Sequence, residues 1–222
     1  MLAGPINRIV RTAAAMAILP ALLICAGPQA VDCVVAHVNR RAITLTDIRI
    51  LQALHLGEGV LSGAAASSPA QVLQKAIDRQ VVVDGMRQSF PVSREEMEAR
   101  LAALKARFEP DVWQRLLGTF GITEEGIESY LENILQYERM VAIRFGRPPE
   151  VTVQEMEDYY RSEYAPAQKS SGLEPKPMSQ VLGEIEERLR DRKREAQISD
   201  WIHGLRAQAD ISINEECLQN LK

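Results

Sequence analysis

Two stretches of this sequence open in the same way, with a hydroxyl residue three positions ahead of a glutamate: Ser93-Arg94-Glu95-Glu96 and Thr152-Val153-Gln154-Glu155. At that spacing the hydroxyl accepts from the backbone N–H of the glutamate, whose side chain reaches back, so each pair marks a helix start. Thr123-Glu124-Glu125 is a looser version, with acids placed where a helix start is electrically positive. These signals predict helices over 94–107, 124–145 and 153–163, with a shorter one over 110–118 carrying Trp113, Leu116 and Leu117. The paired carboxylates invite an acid–base reading, but their position makes them caps.

The same periodicity extends in both directions. Thr46-Asp47 is expected to cap a helix through Ile48, Leu51, Leu54 and Leu56, ending at Gly57. Residues 57–69, with Gly59, Gly63, Ser67, Ser68 and Pro69, read as a flexible loop. A helix over 70–88 sets Val72, Leu73, Ile77, Val81 and Val82 on one broad apolar face. Residues 164–178, with Pro166, Pro175 and Pro177, show no periodicity and read as a linker. A long helix over 179–208 follows, with Leu182, Ile185, Leu189, Ala196, Ile202, Leu205 and Ala209 as its buried stripe. Glu184 with Arg188 and Glu186 with Arg190 sit four apart in the stabilising orientation. The charge run from Glu186 to Glu195 reads as a solvated face.

Only the ends depart from this pattern. Val34-Val35-Ala36-His37-Val38 is apolar and β-branched, breaks at Asn39-Arg40 and resumes in Ala42-Ile43-Thr44, which makes a small hairpin. Asp210-Ile211-Ser212-Ile213-Asn214 alternates with period 2, as a strand does. A lone hairpin is marginal, so the C-terminal strand is expected to complete it. Antiparallel pairing of 34–38 with 211–214 would bring Cys33 close to Cys217. In an oxidising compartment this pair reads as a disulfide, worth about 4–5 kcal/mol at most through the long loop it closes. Two independent buried thiols are the alternative, and the pair lacks metal-ligand spacing, so no metal is expected. The fold class that results is mainly α, a multi-helix core with a small antiparallel sheet.

The compartment is read from residues 1–30. Arg8 and Arg11 are the only charged side chains ahead of Asp32, and an apolar run from Ala13 to Ile24 separates them from Cys25. That composition matches a secretory signal peptide, cleaved after Ala26 or, as the favoured site, Ala30. The run falls short of the roughly 20 residues a membrane span needs, although an uncleaved anchor is the competing reading. Leu22-Leu23-Ile24-Cys25 partly resembles a lipidation signal, but Ile24 is not the small residue such sites want before the cysteine. Residues 31–222 are then one exported domain, and loss of Arg8 and Arg11 moves the formal net charge from −4 to −6. With no basic face, nucleic acid is not an expected partner. His37, His55 and His203 are scattered, and there is no nucleophile elbow, phosphate-cradling loop or dinucleotide fingerprint, so no catalytic residue or cofactor is expected. Trp113 and Trp201 could anchor a bound segment, although core positions are the commoner fate of tryptophan.

Taken in order, the segments resemble a known family. Val35-Ala36-His37-Val38-Asn39 through Ile43-Thr44 to Asp47 is similar to the V-x-x-V-N-x-x-x-I-T-x-x-D opening of the SurA-type periplasmic chaperones. Gln74 to Val83 resembles the helix that follows there, and Val92 to Glu98 and Gly121 to Glu125 resemble its repeated helix starts. Val151-Thr152-Val153-Gln154-Glu155-Met156-Glu157-Asp158-Tyr159-Tyr160 is similar to its V-T-x-x-E-I-x-x-Y-Y segment, and Ile202 to Ile213 to its closing helix and strand. The resemblance covers residues 33–214 and departs at one place. The family usually inserts parvulin-type prolyl-isomerase domains of roughly 100 residues where this chain has only 164–178. The resemblance therefore implies a chaperone core without isomerase activity, in which helices enclose an apolar groove for extended clients, in the family outer-membrane barrel precursors. An envelope interaction module with one dedicated protein partner is the alternative, and an isomerase is the third reading.

Overall fold

In the computed structural model, which describes Met1 and residues 32–56, 68–85 and 91–219, the β-branched run forms β1 (Val34–Val38) and turns back into β2 (Arg41–Thr44). The corner is Asn39, at φ 54°, a left-handed conformation that asparagine tolerates better than most residues. β3 (Ile211–Ile213) pairs antiparallel with the other edge of β1, giving the order β2-β1-β3 with Ala36 opposite Ile213 and Val38 opposite Ile211. A register shift between Val34 and Ala36 turns both Val35 and Ala36 inward, while His37 faces solvent. The chain ends thus meet as expected. The sulfurs of Cys33 and Cys217 lie at disulfide distance, with their Cα atoms 6.0 Å apart.

Between β2 and β3 the described residues form α1 (Leu45–Ala53), α2 (Pro69–Asp84), α3 (Arg94–Lys105), α4 (Pro110–Phe120), α5 (Glu124–Phe145), α6 (Val153–Tyr159), α7 (Ala165–Ser170) and α8 (Met178–Arg206), with a short α9 (Glu215–Gln219) after β3. The mainly α class with a small antiparallel sheet is what forms. Thr152 and Glu155 close a complete capping box, as do Ser68 and Gln71. Ser93 caps α3, but Glu96 turns away to pair with Arg139 of α5. The first helix begins earlier than expected. Thr44, not Thr46, is its N-cap, and Asp47 is the acid that reaches back to it. α4 ends on Gly121 at φ 61°, where Ile122 N–H bonds the carbonyl of Leu117, a close that requires a left-handed residue.

Two further expectations change. The linker read over 164–178 is partly helical: a π-helical turn (Tyr160–Tyr164) carries α6 directly into α7. Pro166 stands in the first turn of α7, the one place in a helix where its missing N–H costs nothing. The stripe on α8 is also interrupted. Val181, Ile185 and Ile202 are buried, but Leu182 is 39 % exposed and Ala196 faces solvent. The stripe breaks because α8 spans two separate cores and crosses open solvent between them.

The larger core lies under the sheet. Val35, Val38, Ile48, Leu54, Leu73, Ile77, Val82, Ile127 and Leu131 are almost fully enclosed there, together with Trp113. All five apolar positions read on α2 are buried. The smaller core holds Met156 and Tyr159 of α6 against Val181 and Ile185 of α8. By its contacts the chain divides into Met1–Val31 and Asp32–Lys222. The expected targeting segment, with Cys25, Ala26 and Ala30, lies outside the described residues, as do most of the 57–69 loop and the end expected for the second helix. Among the described residues no helix is long and apolar enough to cross a membrane.

Candidate functional site

Where β2, α1, α2 and α5 meet, the packing leaves an open recess of about 430 Å³, within the size range of ligand sites. Each element reaches it for a reason visible in its sequence. β2 contributes Ala42 and Ile43, neighbours on opposite faces of the strand, of which Ile43 is buried and Ala42 exposed. α1 contributes Leu51 and Asp47, one turn apart on the same side. From α2 come Ala76, Arg79 and Gln80, from the turn ahead of α5 comes Ile122, and from α5 itself come Gly126, Ser129, Tyr130 and Asn133. The walls are therefore part aliphatic and part polar.

The polar groups are organised as two networks. Tyr130 donates its hydroxyl to Asp47 Oδ1, while the other carboxylate oxygen of Asp47 accepts from Thr44 N–H at 2.7 Å. Burial pushes the Tyr130 hydroxyl well above its ordinary pKa, and its bond to Asp47 adds to the shift, so it stays a donor throughout the neutral range. In the second network Asn133 donates to Gln80 Oε1 at 3.4 Å, and Gln80 donates to Asp84 Oδ1 at 2.6 Å. Asn39, at the corner of the hairpin, donates to the other oxygen of Asp84 at 2.9 Å. Asn39 also binds Asp210 from both its backbone N–H and its side-chain oxygen. One line of hydrogen bonds thus joins α5, α2, the hairpin and the strand that returns from the far end of the chain.

Arg79 does not fit either network. Only 6 % of it is exposed, and its Nε has no hydrogen-bond partner. Burial lowers its pKa, the response of a cation held out of water. The acids whose charge it feels are bound elsewhere: Asp78 pairs with Arg206 at 2.6 Å, and Glu138 pairs with Arg100.

None of these residues was singled out from sequence as a site. A signal for Gln80 existed, since it continues the spacing of Leu73, Ala76 and Ile77 and so falls on the buried stripe. The residues that sequence did single out lie elsewhere. Cys33 and Cys217 meet at the back of the sheet's pairing, His37 is exposed on β1, and Trp113 is buried, donating its indole N–H to Glu124 at 2.9 Å. Trp201 is half-buried against Phe145 with Arg144 over its ring. The carboxylates at the helix starts act as caps and ion-pair partners. Glu124 pairs with Lys105 at 2.7 Å, and Glu155 with Lys193 at 2.7 Å. Among the described residues no group of three His, Cys, Asp or Glu side chains is placed to hold a metal ion.

A scan against protein-family models finds no match to the chain, and no curated protein matches it.

Proposed function

We propose that the chain is a periplasmic, ATP-independent chaperone that holds unfolded polypeptides, outer-membrane precursors among them, in the recess between β2, α1, α2 and α5. The observation that carries this reading is the make-up of that recess: aliphatic walls beside side-chain amides and hydroxyls. Apolar walls favour any apolar side chain regardless of its identity. Gln80, Asn133, Ser129 and Tyr130 offer donors and acceptors to the backbone of an extended segment, which is the part every client shares. Such a site binds without reading sequence, and reversible binding withdraws the unfolded chain from aggregation by mass action. The resemblance to SurA-type chaperones supports the same reading, as does a cysteine pair at bonding distance, which suits an oxidising compartment. On this reading the chain lacks prolyl-isomerase activity.

The test is light scattering from an unfolded outer-membrane barrel protein diluted out of denaturant. The chain at several-fold excess is expected to suppress scattering. Ser129→Trp, which places a bulky side chain at the exposed rim of the recess, is expected to abolish most of that suppression without changing Tm. Full scattering with the unaltered protein, together with tight binding to a single folded partner, would instead establish a dedicated interaction module.

A further inference from the structure

A buried arginine with no acid of its own requires an explanation. Enclosing an unpaired guanidinium in a protein is strongly destabilising, and folds normally supply a carboxylate to offset it. Arg79 is enclosed, its Nε is unbonded, and it lines the recess. Among the described residues, the carboxylates whose charge reaches it are engaged elsewhere: Asp78 is clamped by Arg206 and Glu138 by Arg100. Asp84 is bound by Gln80 and Asn39, and Asp47 by Tyr130 and Thr44. Arg41, exposed at the mouth, adds a second positive charge. Asp47, the one acid lining the recess among the described residues, has both oxygens in use.

We propose that the recess is a carboxylate-binding site, in which Arg79 receives an acidic group carried by an extended peptide. A guanidinium offers a planar fork that matches the two oxygens of a carboxylate, and such paired, charge-assisted bonds are stronger than neutral ones. The aliphatic walls of Ile43, Leu51 and Ile122 would hold the residues flanking the acid. This inference rests on the client-binding reading above and sharpens it: the clients held most tightly carry an Asp, a Glu or a free C-terminus within an apolar run. It also explains why the protein tolerates an arrangement that weakens its own fold. The vacancy in the ion pair is filled only by the ligand.

The experiment uses fluorescently labelled, C-terminally amidated peptides of alternating apolar residues, identical except for one central Asp or Asn, titrated by anisotropy against the whole chain. The Asp peptide is expected to bind at least about tenfold tighter, the scale of a charge-assisted pair. A third peptide, lacking Asp but ending in a free carboxylate, tells a terminal acid from a side-chain acid. Arg79→Met is expected to erase the preference and to raise Tm, because it removes a buried charge without stranding a partner. A structural role for Arg79 predicts the opposite, a lower Tm. Arg79→Lys keeps the charge but loses the fork, and is expected to retain only part of the preference. Equal affinity for the Asp and Asn peptides, or a preference that survives in Arg79→Met, overturns the carboxylate site and leaves the chaperone reading intact. Failure of every peptide to bind overturns both.

Discussion

The two cores that α8 connects are built on different principles. The larger one encloses a continuous mass of aliphatic side chains between the sheet and α1 to α5, and each fully buried Leu or Ile contributes about 1.5–3 kcal/mol. The cysteine pair ties its first and last strands together. The smaller one, an arm made of α6, the π-helical turn and the first half of α8, buries Met156, Tyr159, Val181 and Ile185. Around them the arm relies on polar contacts at its surface. Arg192 grips both oxygens of Glu163 at 2.7 and 2.9 Å, Arg188 donates to the hydroxyl of Tyr159 at 3.2 Å, and Lys193 reaches Glu155 and the carbonyl of Glu150. Tyr160 stacks on Tyr164 with ring centroids 5.5 Å apart. Exposed ion pairs are individually worth little, so the arm should open long before the body does. On this contrast most of the apolar burial lies in the body and little of it in the arm.

The strongest challenge to that contrast is removal of the cross-link. Cys33→Ser is expected to cost about 2–5 kcal/mol in chemical denaturation, almost all of it from the body. Hydrogen exchange should speed up at β1 and β3 and stay unchanged in α6; faster exchange in the arm would mean that the two cores are one cooperative unit. Next in size is Ile185→Ala, a deletion from the centre of the small core that is expected to cost about 2–4 kcal/mol locally. Amides of α6 and of the first half of α8 should exchange faster, with the denaturation midpoint of the body unmoved.

The smallest effect tests the electrostatic side of the arm. Hydrogen bonding to Lys193, followed by the cap bond from Thr152, draws Glu155 down from 4.5 to about 2. A carboxyl with a lowered folded pKa stabilises the fold above its unfolded value and loses that contribution as pH falls toward the folded one. Protection of the arm's amides, taken relative to their intrinsic exchange rates, should therefore fall between about pH 5 and pH 2, and Glu155→Gln should flatten that dependence.

What the sequence discloses follows the same division. Helix starts marked by hydroxyl and acid were legible because capping is local chemistry, and the 124–145 helix falls on α5 (Glu124–Phe145) at both ends. The sheet was legible because period-2 alternation and two cysteines pointed to the same pairing. The α8 stripe was misread at Leu182 and Ala196 because periodicity identifies a face without revealing where that face runs out of neighbours. Likewise Glu186 pairs with Arg190 as expected, but Arg188 turns from Glu184 to Tyr159, a partner supplied by another helix. The recess was illegible for the same reason. Arg79 and Gln80 acquire meaning only from what three other elements bring opposite them.

The central strand of the sheet is among the first residues of the body, yet one of its two neighbours lies far along the chain: Asn39 and Asp210, which flank the β1–β3 pairing, are 171 positions apart. A chain emerging N-terminus first must therefore wait with one side of β1 unsatisfied until β3 arrives. Asn214 and Asp210 then close it through Val35 and Asn39. Until that moment the protein is itself an unfinished sheet with an open edge, in the same predicament as the clients it is proposed to shelter.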